Sequence, residues 1–242
     1  MKTINEALNQ LEYPGRGLII GMSSDGNYLA IAYFIMGRSA NSQNRILKFE
    51  KNSIQTLSLK NYVHNKNLII YKPVIKFQNF IVVSNGNQTE TIIKNLKMNI
   101  NFINSMRSRN FENDPPIYTP RIAAIIKLKK INFSYKIAIV KKAQNSKHTE
   151  RFFFEYMTPT QGQGHLIHTY KGQNNSNIES FSGAPILIKI PKTAPEFQSE
   201  IWESLNKKNK ISLYTEFINL KTKKCLKKII NKNLKLNLTI KN

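Results

Sequence analysis

Two apolar runs, residues 18–21 and 28–36, close around the tetrad Ser24-Asp25-Gly26-Asn27, and no other feature of the chain constrains its fold as much. Gly and Asn tolerate positive φ, so the tetrad is a hairpin turn and the flanking runs are antiparallel strands. Short apolar runs closed by Gly, Asn or Ser recur at 68–71 and 80–84, and further strands are expected at 122–128, 133–140, 152–156, 166–170 and 186–190. Helices are fewer. Residues 89–98 carry Ile92, Ile93 and Leu96 at helical spacing, and 100–107 extends or follows that helix. Thr193-Ala194-Pro195-Glu196 is a capping box with a proline in the first turn, ahead of Phe197, Ile201 and Leu205 on one face. Residues 211–220 return to strand. Leu226, Ile229 and Ile230 then suggest a short helix, and Leu234, Leu236, Leu238 and Ile240 alternate like a final strand. Sheets covered by a few helices make an α+β layered architecture. No repeat and no Gly/Ser- or Pro-rich linker divides the 242 residues, so a single domain spanning 1–242 is expected, with a Lys-rich C-terminal extension from about 206.

Composition excludes several classes of function. No run approaches the ~20 apolar residues that cross a bilayer, and the first twelve residues lack the apolar core of a signal peptide. Cys225 is the only cysteine, which excludes an internal disulfide and a cysteine-based zinc cluster. A cytoplasmic location and no membrane partner are expected. The net charge of +23 invites a nucleic-acid reading, but only seven of the 37 basic residues are Arg. Proteins that grip nucleic acid favour the bidentate fork of Arg, whereas abundant Asn, Ile and Lys all along the chain fit an AT-rich coding bias. A nucleic-acid partner is therefore not expected. The arginines stand out, because Lys could replace any whose geometry did not matter.

Four segments are polar or glycine-rich where a plain core element would not be. Tyr13-Pro14-Gly15-Arg16-Gly17 leads into the first strand, as a close-approach ligand loop or an ordinary turn. Residues 37–45, with Arg38, Ser39, Asn44 and Arg45, concentrate forked cations and amide or hydroxyl donors, as a phosphate cradle or a solvated loop would. Residues 82–92 run from a buried strand through Ser84-Asn85-Gly86 to a helix starting near Thr89, whose free N–H groups suit an anionic or amide-bearing ligand. Helix capping by Thr89 is compatible with that. Residues 110–122 crowd Glu112, Asp114, Tyr118 and Arg121 into a loop stiffened by Pro115, Pro116 and Pro120, which can hold catalytic groups still. A fifth segment, 162–170, places His165 and His168 three apart. On a strand they point to opposite faces, and no carboxylate or Cys stands close enough to complete a metal site. Walker-type and dinucleotide glycine patterns are absent.

Taken together, YPGRG at 13–17, GRSANSQNR at 37–45, SNGNQTETI at 84–92, NFENDPPIYTPRIAA at 110–124, GQGHLIHTY at 162–170 and SFSGAP at 180–185 resemble the archaeal-type IMP cyclohydrolase family, most closely its bacterial branch. The six motifs are collinear and cover residues from about 13 to about 190. Two departures appear: Lys72-Pro73 follows Tyr71 where the family more usually has Asn and a small residue, and no motif is matched beyond about 195. The resemblance implies a four-layer αββα sandwich like that of N-terminal-nucleophile hydrolases, without self-processing. It implies ring closure of a formamido-imidazole-carboxamide ribonucleotide to IMP and water, with purine nucleotides as ligands and with no metal and no redox cofactor. On that reading Tyr71 and Glu112 are the proton-transfer candidates. Arg38, Arg45 and Arg16 bind phosphate or oxyanion, and Asn85 and Arg121 orient the base or carboxamide. Ser39, Asn44, Thr89 and His165 complete the substrate pocket. The rival is a nucleotide- or RNA-binding protein that kept the fold and lost catalysis; a homo-oligomer is compatible with either.

Overall fold

The computed structural model describes residues 1–59, 69–144, 146–172, 178–234 and, as backbone, 238–241. The hairpin forms as expected. β1 (Arg16–Met22) pairs antiparallel with β2 (Tyr28–Met36), and the Asp25 carboxylate closes the turn by accepting from Ser23 Oγ at 2.6 Å and the Asn27 amide at 3.1 Å. Both strands are buried almost end to end, which is why they read as unbroken apolar runs rather than as alternation.

Around this hairpin stand β10 (Gln163–His168), β11 (Ile186–Lys189), β12 (Lys210–Asn219), β13 (Cys225–Asn231) and β14 (Leu238–Lys241), in the order β11-β10-β1-β2-β12-β13-β14. A second seven-stranded sheet runs in chain order: β3 (Arg45–Phe49), β4 (Ser53–Ser58), β5 (Val74–Phe77), β6 (Phe80–Ser84), β7 (Arg121–Leu128), β8 (Phe133–Lys142) and β9 (Thr149–Tyr156). The strand pairs in both sheets are antiparallel.

Three apolar cores organise these sheets. One lies between them and joins Leu18, Ile20, Tyr33 and Ile35 of the first to Leu47, Ile81, Val83, Ile122 and Ile137 of the second. On the far side of the first sheet, Ile19, Ala30, Ala32 and Phe34 pack under α1 (Ile4–Leu8) and α5 (Ala194–Ser204). On the far side of the second, Val82, Ala123 and Ala138 pack under α3 (Gln88–Lys97) and α4 (Phe102–Arg107). Small Ala residues on those outer faces let the helices approach closely. A single turn, α2 (Ala40–Gln43), sits between β2 and β3.

Several expectations need correction. Residues 225–231 form β13 rather than a helix, because their backbone pairs with Ser212 to Ile218 of β12, and that pairing outweighs the i, i+3, i+4 spacing of Leu226, Ile229 and Ile230. The strand expected at 68–71 lies partly outside the described residues, and Ile69 to Tyr71 are not strand. The strand expected at 211–220 forms as β12, which pairs with β2 near the middle of its sheet. The helix α1 went unread although Thr3-Ile4-Asn5-Glu6 is a capping box, with both reciprocal bonds present.

Candidate active site

Arg16 opens β1 on the side that carries Leu18 and Ile20, so its guanidinium enters the space between the sheets. Its Nε is buried and has no hydrogen-bond partner. Four tyrosines surround it. Tyr13 stacks on Tyr170 with ring centroids 5.6 Å apart, and the hydroxyls of Tyr33 and Tyr71 meet at 2.6 Å. Tyr170 donates to Thr119 Oγ1 at 2.7 Å, and Thr119 donates onward to Asp114 at 2.6 Å. Burial works to lower the Arg16 pKa and its coupling to Tyr170, Tyr71, Tyr13 and Tyr33 to raise it, with a net rise, so the guanidinium stays charged. Burial likewise pushes Tyr33 and Tyr170 up against the pull of Arg16, so both remain protonated donors.

Local backbone requirements explain the Gly-Arg-Gly frame. Gly15 has φ +81°, and a Cβ there would lie 2.2 Å from Thr169 Oγ1 and 2.6 Å from the Tyr170 ring. Thr169 Oγ1 fills that space, donating to Pro14 O and accepting from the Arg16 amide. These contacts set Arg16 against Tyr170. Tyr71 is held differently: its amide donates to Thr56 Oγ1 at 2.8 Å and its carbonyl accepts from the Thr56 amide at 2.9 Å.

Glu112 and Arg121 form the second half of the cluster. Glu112 Oε1 and Oε2 each lie 2.7 Å from a terminal guanidinium nitrogen, a bidentate pair that is largely buried. Arg121 also donates through Nε to Asn110 O at 2.7 Å and through Nη1 to Gln88 Oε1 at 2.8 Å and Asn87 Oδ1 at 3.1 Å. Gly86 makes room for this, since a Cβ there would stand 3.0 Å from Glu112 Oε1. Burial raises the Glu112 carboxyl above the usual carboxylate range, against Arg121 and then Arg16, which draw it down. Burial also lowers Arg121, to about 10. Arg16 acts electrostatically on both partners, which ties the two halves together.

The remaining sequence candidates divide. Arg38 lies over the Tyr13 ring at 4.7 Å, at the edge of the tyrosine group. Arg45 is 3% exposed and donates through Nε to Ser42 O and through Nη2 to Met36 O, both at 2.9 Å. It thus folds the 37–45 segment, and burial pulls its pKa down. Ser39 caps α2 by accepting from the Ser42 amide, and Asn44 donates to Ala40 O. Asn85 is enclosed: its side chain donates to Pro120 O at 2.8 Å and accepts from the Ile122 amide at 2.9 Å and from Gln88 Nε2 at 2.8 Å. It therefore positions the strand end that carries Arg121. Thr89 bonds Ser84 and Gly86, and the cap of α3 is Asn87, whose side chain bonds arginines instead of the helix. His165 stands apart, stacked on Tyr156 at 3.8 Å with Nδ1 2.6 Å from Tyr135 Oη, and burial lowers its pKa to about 4. Four strand residues separate it from the Arg16 level, because His165 faces Ile20. His168 is fully enclosed and does not share that environment: Nδ1 meets Tyr170 O at 2.6 Å, and Nε2 has no partner.

The structure thus brings Arg16, Tyr71, Arg45, Glu112 and Arg121 together with Arg38 at the rim, and it leaves His165 outside. Tyr13, Tyr33, Tyr170 and Thr119 were missed as functional candidates. Tyr13 and Tyr170 lie within the motif strings at 13–17 and 162–170, but Tyr33 sits in a plain apolar strand and carries no local signal. A buried cation, protonated phenols and a carboxylate of raised pKa can bind an anion, stabilise developing negative charge on oxygen and move protons. Among the described residues no group of three His, Cys, Asp or Glu could hold a metal ion. No curated protein matches this chain. The sequence does match the family described as IMP cyclohydrolase-like protein over residues 13–224, a span that contains every group of this cluster and reaches well past the last matched motif. The chain belongs to the IMP cyclohydrolase-like family.

Proposed function

We propose that this protein is an active IMP cyclohydrolase, closing 5-formamidoimidazole-4-carboxamide ribonucleotide to IMP and water. The observation that carries the reading is the buried Arg16 with its unpartnered Nε, ringed by four tyrosines beside the Glu112–Arg121 pair. In the reaction the carboxamide nitrogen bonds to the formyl carbon while the formyl oxygen gains negative charge. One proton leaves the carboxamide nitrogen, another leaves the formamide nitrogen, and the oxygen departs with both as water. Both reactants belong to one molecule, so the site must hold the reactive rotamer and stabilise the oxyanion. Arg16 supplies the charge. Tyr71 donates to the oxygen, with Tyr33 donating to Tyr71 through their 2.6 Å contact to keep its proton available. Glu112, kept basic enough by burial, exchanges a proton with the nitrogen, and Arg121 orients both it and the carboxamide. Arg38 is assigned to the phosphate side, and Arg45 holds in place the 37–45 segment that carries it.

The two sheets with inner and outer cores support reading the fold as a four-layer αββα sandwich of the N-terminal-nucleophile type. Purine nucleotides are the proposed partners and the cytoplasm the proposed location; among the described residues no helix is long and apolar enough to cross a membrane. The test is ultraviolet detection of IMP from the formylated substrate by purified protein. Binding without turnover would instead identify a nucleotide-binding protein, and ammonia release an amidase.

A further inference from the structure

We propose that β9 is a homodimer interface, at which two copies of this chain pair edge to edge and join their second sheets across a two-fold axis. This inference is independent of the catalytic reading. β9 is the terminal strand of its sheet, and its eight residues read Thr-Glu-Arg-Phe-Phe-Phe-Glu-Tyr. Its outer edge has no strand partner among the described residues. The Ala143 amide donates to His148 O at 2.9 Å, which makes that pair a hydrogen-bonded one, and hydrogen-bonded pairs alternate along an antiparallel ladder. With Lys142 facing Thr149, the backbone groups of residues 150, 152, 154 and 156 turn to β8. Those of Arg151, Phe153 and Glu155 turn outward, ready to pair, whereas Thr149 O already accepts from Arg151 Nη1 at 3.4 Å.

Natural sheets guard such edges with Lys, Pro or bulges. The other edge strands here comply: β3 carries Lys48, β14 carries Lys241, and β11 carries Lys189 and is met by a bridge from Lys2 to Ile188. In a chain of net charge +23, β9 has no Lys, Pro or Gly, holds two glutamates, and leaves Phe152 43% exposed. The strand is also self-complementary. Set antiparallel to a second copy with Phe153 opposite Phe153, it places Arg151 opposite Glu155, Phe152 opposite Phe154 and, just past its end, the exposed Met157 opposite Thr149. In that register Arg151, Phe153 and Glu155 are the hydrogen-bonded pairs, matching the outward backbone groups. Within the chain Arg151 donates through Nη2 to Arg109 O and Asn110 Oδ1, and Glu155 pairs with Lys136 at 2.9 Å, so the register adds facing opposite charges to side chains that already have partners. Opposite charges and aromatic pairs at facing positions stabilise a ladder; like charges destabilise it.

The test is disulfide trapping in a Cys225→Ser background, with sedimentation or light scattering of the unmodified protein alongside. Phe153→Cys puts the thiol opposite its own copy, at about 5.5 Å between Cα atoms, inside the roughly 4.4–6.8 Å range that a disulfide spans. Phe152→Cys and Phe154→Cys do not oppose themselves. Efficient cross-linking at 153 with little at 152 or 154, and a dimeric unmodified protein, is the expected result. Glu155 is exposed and its pair with Lys136 is a surface one, so Glu155→Lys should still fold while setting like charges together at two symmetric places, weakening association on the order of 10-fold. A monomer at all attainable concentrations, equal cross-linking at all three positions, or a dimer indifferent to Glu155→Lys would overturn the proposal.

Discussion

In the proposed mechanism Tyr33 and Tyr71, whose hydroxyls meet at 2.6 Å, divide one task, and their substitutions separate the parts. Tyr71→Phe removes the proposed donor and should lower kcat by roughly 10²–10⁴-fold. Tyr33→Phe removes only the group that backs it; at about 1 kcal/mol for one hydrogen bond, kcat should fall several-fold with KM little changed. Equal losses in the two variants would dissolve that division. Glu112→Gln keeps shape and should bind substrate within a few-fold while its single-turnover rate falls by a factor like that of Tyr71→Phe. His168 lends itself to a pH measurement. Burial holds its pKa at about 4, below the ordinary value near 6.5. Above pH 6.5 neither the folded nor the unfolded chain is protonated there, and the stability is whole. Between pH 6.5 and 4 only the unfolded chain takes the proton, so stability drops by on the order of 3 kcal/mol and levels off below. Urea midpoints from pH 7 to 4 should fall less steeply in His168→Asn, which can keep a donor near Tyr170 O.

At the scale of elements, the turn from β6 into α3 touches the Glu112–Arg121 pair and the α5 cap does not. Gly86→Ala places a Cβ 2.7 Å from Gln88 Oε1 and 3.0 Å from Glu112 Oε1, so the Arg121 pairing must shift. We expect kcat/KM to fall by up to about 10-fold, since the carboxylate must give by a few tenths of an ångström and misplacement near 1 Å carries costs up to 10². Thr193→Ala is the control: it loses the side-chain bond to the Glu196 amide at the start of α5. It should cost about 1 kcal/mol in denaturant midpoints and leave kcat unchanged. If both variants alter stability alone, the β6–α3 turn is only a connection.

Across the whole molecule, one buried ion pair ties sheet to sheet. Lys76 on β5 meets Glu216 on β12, and Glu216 is fully buried and also accepts from Tyr214 Oη at 2.7 Å. Lys76→Met leaves that carboxylate without its counter-charge and should cost roughly 3 kcal/mol, at the lower end for broken buried pairs because Lys76 is partly exposed. Adding Glu216→Gln removes the stranded charge and should recover part of the loss. Thermal denaturation of the single and double variants checks this; a double variant less stable than Lys76→Met would mean that Glu216 holds the sheets by its other contacts.

What the sequence determined by itself was whatever rests on neighbours in the chain. The Ser24–Asn27 turn, the buried runs of β1 and β2, the helix at 88–97 and the Thr193 capping box depend on local φ preference, periodicity and i to i+3 bonds. The six collinear motifs sufficed to place the chain in its family. Tertiary structure decided the rest. Leu226, Ile229 and Ile230 have helical spacing, yet a ladder to β12 makes them strand. Glu112 and Arg121 were grouped by one loop, but only the packing of β1 against the second sheet brings Arg16 to them from about a hundred residues away. Tyr33 lies in a uniformly apolar strand, where nothing local distinguishes a core tyrosine from one whose hydroxyl meets Tyr71. His165, close in sequence to Tyr170, pairs with Ile20, four residues along β1 from Arg16, and only the register of β10 sets that separation. Local sequence encodes dihedral preference and burial period, but the convergence of side chains at a site is set by which strands become neighbours.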